Sequence, residues 1–280
     1  MANDTLATPQ PVFPQSRIAT HMPFLDGTTL VFCQSDSARK KSIKRIGSIW
    51  KTIRRNSALA ERFRNLPKTQ DVLYRAWKLA YCNWQDKIVY PVSTGLPEDV
   101  MERSPAFYHE GDRVHLSFIS GIPTISGPNY RLYTCSGSGL EHMEPAKPLP
   151  HHPLFFGFVS PLHVCWGIQN ILKLTEKASG KTFQLKVEYF RVVCATFLAD
   201  DPSKLLITVI NNLREPKTVL YDLQTTNISD VSVQGAIYKP SLHGDQLVFA
   251  RIREDGFENR DLFQGDYALS PSTIKITQER

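Results

Sequence analysis

Two glutamates, Glu102 and Glu188, stand beside cations, Arg103 in one case and Arg191 in the other, where apolar runs begin. Two carboxylates in unlike surroundings are what acid and base catalysis needs: a nearby arginine keeps one ionised, while burial raises the other. The same four residues also suit a plainer role, in which Glu102 and Glu188 pair with Arg103 and Arg191 as satisfied buried charges. His21, His151 and His152 add imidazoles, which are common metal ligands. Adjacent histidines rarely reach one ion together, and no Asp-rich partner accompanies them, so no metal site is expected. Ser104, Tyr238 and Lys239 complete a set in which positive groups outnumber negative ones. That surplus suits an anionic ligand, such as a phosphorylated or acidic sugar, a nucleotide or free phosphate, gripped by the bidentate fork of arginine. No cofactor is expected.

These residues fall at matching points of a repeated segment: a proline, a few apolar residues, a Gly or Asp turn, and a second apolar run. The copies begin at Pro23, Pro105, Pro153 and Pro240, with a proline-free fifth around Ala195. From Pro105 to Pro153 is 48 positions, from Pro153 to Ala195 is 42, and from Ala195 to Pro240 is 45. A hairpin recurring at that period predicts a β-propeller, here all-β with five blades of about four strands. A two-sheet sandwich predicts the same alternation but not the recurring proline hairpin. The expected layout is a flexible arm over residues 1–15 and one propeller domain over 16–280, with Thr273–Ile276 in the last blade. The Ser136-Gly137-Ser138-Gly139 segment follows a strand without opening a helix, so it reads as a hairpin turn and not a phosphate loop.

The first interval, Pro23 to Pro105, is much longer, and its excess coincides with the basic part of the chain. Arg39 to Lys68 holds eleven Lys or Arg against Glu61, so the net charge of +6 belongs to this segment and the remainder is acidic. Ile43, Ile46, Ile49 and Ile53 recur at helical steps, Leu59 and Phe63 continue them, and Leu66-Pro67 ends them, which predicts a helical insertion over about 37–68. Its cations Lys40, Lys41, Lys44, Arg45, Lys51, Arg54 and Arg55 could lie along a polyanion such as nucleic acid. They equally suit an anionic membrane surface, or the solvated face of a helix that covers the propeller.

Hydrophobic content of 41% with 21% charged residues describes a soluble globular chain. No run approaches the roughly 18 apolar residues of a membrane helix. Five widely spaced cysteines, without a Cys-x-x-Cys pair, point to buried thiols and a reducing, cytoplasmic compartment.

One blade carries a family likeness. Arg103-Ser104-Pro105, Gly111-Asp112-Arg113-Val114-His115-Leu116-Ser117-Phe118, Tyr130-Arg131-Leu132-Tyr133 and the Ser136-to-Leu140 turn resemble a blade of the five-bladed propeller glycosidases and glycoside phosphorylases. That superfamily contains the arabinanases, fructosidases and mannoside phosphorylases. The resemblance implies a glycosidase-like propeller that recognises, cleaves or transfers a glycoside or charged sugar in a central funnel. Such enzymes set three carboxylates at the axial starts of their inner strands. Here His21-Met22 and Arg103-Ser104 occupy the first two positions, and Asp26 lies in a turn at the far end. Glu102 and Glu188 are the carboxylates left for acid/base roles. His21, Arg103, Ser104, His151, His152, Arg191, Tyr238 and Lys239 would ring the mouth and contact substrate. The alternative is a non-catalytic binding module whose basic insertion docks on a polyanion.

Overall fold

Three of the repeated segments close through the same two-residue turn. Asp26 pairs with Thr29, Glu110 with Arg113 and His243 with Gln246. In each, the first turn residue is a glycine at positive φ: Gly27 at 54°, Gly111 at 58° and Gly244 at 58°. A tight hairpin turn needs that conformation, and glycine adopts it without a Cβ penalty.

The computed structural model describes the chain apart from residues 1–5, 14–18, 36–39, 47–68, 76, 99, 125–126, 152, 154–155, 214, 236, 254–255 and 280. The first strands are β1 (Gln10–Pro11), β2 (Ala19–Asp26), β3 (Thr29–Ser35), β4 (Lys40–Ile46), β5 (Thr69–Arg75), β6 (Lys78–Asn83) and β7 (Val89–Pro91). Blade 1 has the order β2-β3-β6-β7, and β4 and β5 pair as a separate hairpin. Blade 2 follows as β8 (Met101–Glu110), β9 (Arg113–Thr124), β10 (Gly127–Gly137) and β11 (Lys147–Pro148). Blade 3 runs through β12 (Gly157–Val159), β13 (His163–Ile168), β14 (Ile171–Glu176) and β15 (Thr182–Val187). Blade 4 consists of β16 (Arg191–Phe197), β17 (Lys204–Ile210), β18 (Pro216–Asp222) and β19 (Ile228–Ser232). Blade 5 is β20 (Tyr238–His243), β21 (Gln246–Arg253) and β22 (Gly256–Gly265), with β1 as its fourth strand. The chain then adds β23 (Ala268–Pro271) to blade 4 and β24 (Ile276–Glu279) to blade 3. The five-bladed all-β propeller read from the repeat is the observed fold.

Its margins differ from the sequence reading. The arm expected over 1–15 ends early, because Gln10 and Pro11 pair with Gln264 and Phe263 and Val12 is buried in the core. Strand β1 thus completes blade 5 beside β22, and the ring is closed by backbone pairing. Thr273–Ile276 does not belong to that blade; Ile276 pairs with Val187 of blade 3. Residues 40–46 of the expected helical insertion form strand β4, in register with 69–75: pairing with a second segment overrides the helical spacing of its isoleucines, which in a strand fall on opposite faces. The rest of the insertion, including Lys51, Arg54 and Arg55, lies outside the described residues. Pro153 precedes the short inner strand β12 instead of sitting within it.

Inner strands β2, β8, β12, β16 and β20 all run in one direction, so their starts mark one face of the ring, the mouth. On the axis, Phe24 of blade 1 meets Phe107 of blade 2 at 5.4 Å and Phe197 of blade 4 at 5.0 Å. Phe158 of blade 3 closes on Phe197 at 5.5 Å. Blades 1 and 4 are not neighbours in the ring, so this contact crosses the axis. All four rings are fully buried, and edge-on packing of such rings adds about 1 kcal/mol per pair beyond area burial. The axis is therefore plugged below the mouth.

Candidate ligand-binding mouth

Above the phenylalanine plug, three inner strands bulge at the same motif. The β2–β3 register shifts between His21 and Phe24, β8–β9 between Arg103 and Ala106, and β20–β21 between Tyr238 and Ser241. The residue before the proline takes positive φ each time: Met22 at 54°, Ser104 at 51° and Lys239 at 48°. A side chain there costs on the order of 1–3 kcal/mol, held in place by surrounding packing. Extra residues re-aim a strand, and here all three bulges line one axial cavity of about 20 Å³, together with Phe158 and Thr196. That volume holds about one water. A ligand larger than a small ion must sit outside it, in the mouth.

The bulges are tied to one another. Ser104 donates its backbone N–H to the Met22 sulfur at 3.1 Å and its hydroxyl to the same atom at 3.3 Å. Two cations stand close by. Lys239 is only 9% exposed. Arg103 reaches the Tyr130 hydroxyl with Nη1 at 3.4 Å and lies over that ring, while its buried Nε has no hydrogen-bond partner. Both cations act on two thiols beside the axis. Burial pushes Cys33 up to about 12 and Cys194 to about 11, with Arg103 and Lys239 opposing that rise. The thiols stay protonated at neutral pH and are poor nucleophiles.

Glu102 is at the blade 1–blade 2 boundary, 2% exposed. Its carboxylate accepts from Lys78 Nζ at 2.9 Å, the Thr94 hydroxyl at 2.7 Å and the Leu79 N–H at 3.2 Å. Glu102 thus pairs with Lys78 and not with its sequence neighbour Arg103. Glu188 lies in the mouth turn between β15 and β16, where its N–H donates to the Lys275 carbonyl at 3.1 Å. Next to it, Tyr189 takes φ 62° and is 90% exposed, and Arg191 opens β16 as an exposed residue. His151 stacks on Trp166 with ring centroids 4.1 Å apart. Tyr238 begins β20 opposite Ala250, and His21 pairs with Cys33 in β2–β3. His152 lies outside the described residues.

Ser104 and Lys239 thus line the axial cavity, Arg103 turns to Tyr130 of its own blade, and His21, His151, Glu188, Arg191 and Tyr238 occupy the mouth ends of their blades. Glu102 is drawn away into an interblade contact. Sequence reading missed the aromatic members Trp166, Tyr130 and Tyr189; Trp166 stands in the apolar Val164-Cys165-Trp166-Gly167 run, which reads as core. The β4–β5 hairpin leaves the mouth ends of β3 and β6, so Lys40, Lys41, Lys44 and Arg45 belong to a strand on this same face. Among the described residues no group of three or more His, Cys, Asp or Glu could hold a metal ion. No described helix is long and apolar enough to cross a membrane, and all five cysteines are unpaired and buried.

No family model and no curated protein matches the chain. Among solved structures it is similar to Zg3597, a family 117 glycoside hydrolase of the marine bacterium Zobellia galactanivorans, with a TM-score of 0.49 and 9% identity over 94% of this chain and 90% of that one. It is also similar to a Bifidobacterium bifidum protein assigned as an exo-β-1,3-galactanase, with a TM-score of 0.33 and 9% identity over 92% of this chain and 97% of that one. A puromycin-hydrolyzing peptidase of Mycobacterium tuberculosis gives a TM-score of 0.35 and 10% identity over 98% of this chain and 55% of that one. These likenesses concern the fold. By its own strand pairing the chain is a five-bladed β-propeller.

Proposed function

We propose that the mouth recognises a sugar-like ligand carrying negative charge, and that the chain binds this ligand without hydrolysing it. The observation that carries the reading is the contrast between Lys239, which lines the axial cavity with Ser104, the neighbour of Arg103, and Glu102, which Lys78, Thr94 and Leu79 hold at the blade 1–blade 2 boundary. Glycoside cleavage needs two carboxyl groups flanking one bond, and among the described mouth residues Glu188 supplies one of them. A cation and aromatic faces, Arg191 two residues from Tyr189 and the His151–Trp166 stack, suit an acidic or phosphorylated sugar: the anion meets the guanidinium and the sugar ring stacks. Unpaired thiols fit a reducing cytoplasmic setting.

Calorimetry with glucuronate and glucose 6-phosphate as probes tests this. Arg103→Ala and Arg191→Ala are expected to weaken binding about tenfold or more, as loss of one charge-assisted hydrogen bond does. Hydrolysis of 4-nitrophenyl glycosides that disappears in Glu188→Gln would overturn the non-hydrolytic reading. A second reading is supported by the β4–β5 hairpin at the mouth face: the ligand is a longer polyanion, such as nucleic acid, that also crosses Lys40, Lys41, Lys44 and Arg45, with Lys51, Arg54 and Arg55 beyond. Charge reversal at Lys40, Lys44 and Arg45 should then lower the salt slope of heparin or single-stranded DNA binding by about one per charge removed; an unchanged slope rules it out.

A further inference from the structure

On the face opposite the mouth, blades 3 and 4 part around a cleft of about 630 Å³. It is built at the lower strand ends: His163 starts β13, Glu176 ends β14, Thr182 and Phe183 start β15, and Gln224 follows β18. Gln278 comes from the C-terminal strand β24, which gives blade 3 a fifth strand that blades 1, 2 and 5 do not have. The volume falls within the range of small-molecule sites and exceeds the axial cavity many times over.

Its chemistry differs from that of the mouth. Two side-chain amides, two hydroxyls, a carboxylate and an imidazole can all hydrogen-bond, and most of them both donate and accept. The Glu176 charge is balanced by Lys181 on the same wall. Some of this capacity is used locally, since Glu176 accepts from Ser179 and Thr182 bonds Thr175 at 2.8 Å. His163 is different. Its Nδ1 is buried and has no partner, and its ring meets Phe183 edge-on at 5.9 Å and 86°. That nitrogen is shielded from the cleft, although His163 as a residue lines it. Burial holds the His163 imidazole below its ordinary range, against the pull of Glu176, so it adds no charge to the cleft at neutral pH.

We infer that this interblade cleft binds an uncharged mono- or disaccharide. Hydroxyl groups that donate and accept match the Gln224 and Gln278 amides and the Thr182 hydroxyl, and the C–H face of a sugar ring matches Phe183. The balance of charge disfavours an ionic ligand there, which separates this site from the cationic mouth. The inference does not depend on what the mouth binds.

Saturation-transfer NMR on the full chain, with cellobiose, lactose, maltose and trehalose as probes, tests it. At least one probe should receive saturation, and its affinity should fall about tenfold in Gln224→Ala, the equivalent of one well-formed hydrogen bond. Gln224 is exposed, so this variant keeps its fold, which a circular dichroism spectrum checks. Phe183→Ala should weaken it further, and Arg191→Ala at the mouth should leave it unchanged. Absence of transfer from all four probes overturns the inference, as does transfer that survives Gln224→Ala and Phe183→Ala or that vanishes with Arg191→Ala.

Discussion

Lys78 and Glu102 meet at 2.9 Å across the boundary between blades 1 and 2, and with Thr94 and Leu79 donating as well, the carboxylate is held buried at that boundary. Breaking a buried pair strands its partners, so Glu102→Ala is expected to cost about 3 kcal/mol, and Glu102→Gln, which keeps the shape, about 1 kcal/mol. Urea unfolding measures both. A Glu102→Gln protein of unchanged stability that had lost glycoside turnover would return this residue to catalysis.

The bulge at Ser104 makes a prediction of opposite sign for two small changes. Its φ of 51° favours glycine, and its backbone N–H, not its side chain, makes the shorter bond to the Met22 sulfur. Ser104→Gly should therefore stabilise the fold by about 1 kcal/mol. Ser104→Val, β-branched at positive φ, should destabilise it by about 2 kcal/mol. Equal denaturation midpoints for the two variants would mean that the bulge is not strained.

Much of this was legible in the chain. Turn glycines and alternating runs are local signals, and the proline hairpins that gave the period also mark the bulges around the axis. What escaped depends on distant partners. Nothing near Gln10 announces Gln264, and nothing near Ile276 announces Val187, because the first pairing spans nearly the whole chain and the second spans blades 4 and 5. Glu102 was legible as a buried carboxylate beside a cation. Its true partner, Lys78, lies on another blade, so neighbours in sequence misdirected the reading to Arg103. Ile43 and Ile46 have helical spacing, and the pairing with Val72 and Thr69 overrides it.

Gly167 carries a prediction about packing at the mouth-side end of blade 3. A Cβ there would lie 2.2 Å from Cζ of the fully buried Phe156 ring. Overpacking of a tight core costs about 1–3 kcal/mol, so Gly167→Ala should lower stability by that amount. Phe156→Leu costs stability by itself, yet the double variant should recover part of the Gly167→Ala loss, a coupling that a double-mutant cycle reads directly. Strict additivity of the two changes would refute the contact.

His163 gives the stability curve a pH signature. Its pKa is depressed below 6.5 by burial in the interblade cleft, with Glu176 opposing. As pH falls, the unfolded chain takes up the proton first, so the contribution is full above 6.5 and is lost as pH falls through the depressed folded value. Asp26, raised above 3.8 by burial with His109 and His243 opposing, acts in the reverse sense at lower pH: its contribution is full below 3.8 and is lost as pH rises through the raised value. The His163 effect is isolated by difference. His163→Gln removes this titration, so wild type should lose stability relative to the variant as pH drops below 6.5, while the two curves run parallel above it. Urea midpoints collected across that range decide the matter, and curves that stay parallel throughout would place His163 in open solvent.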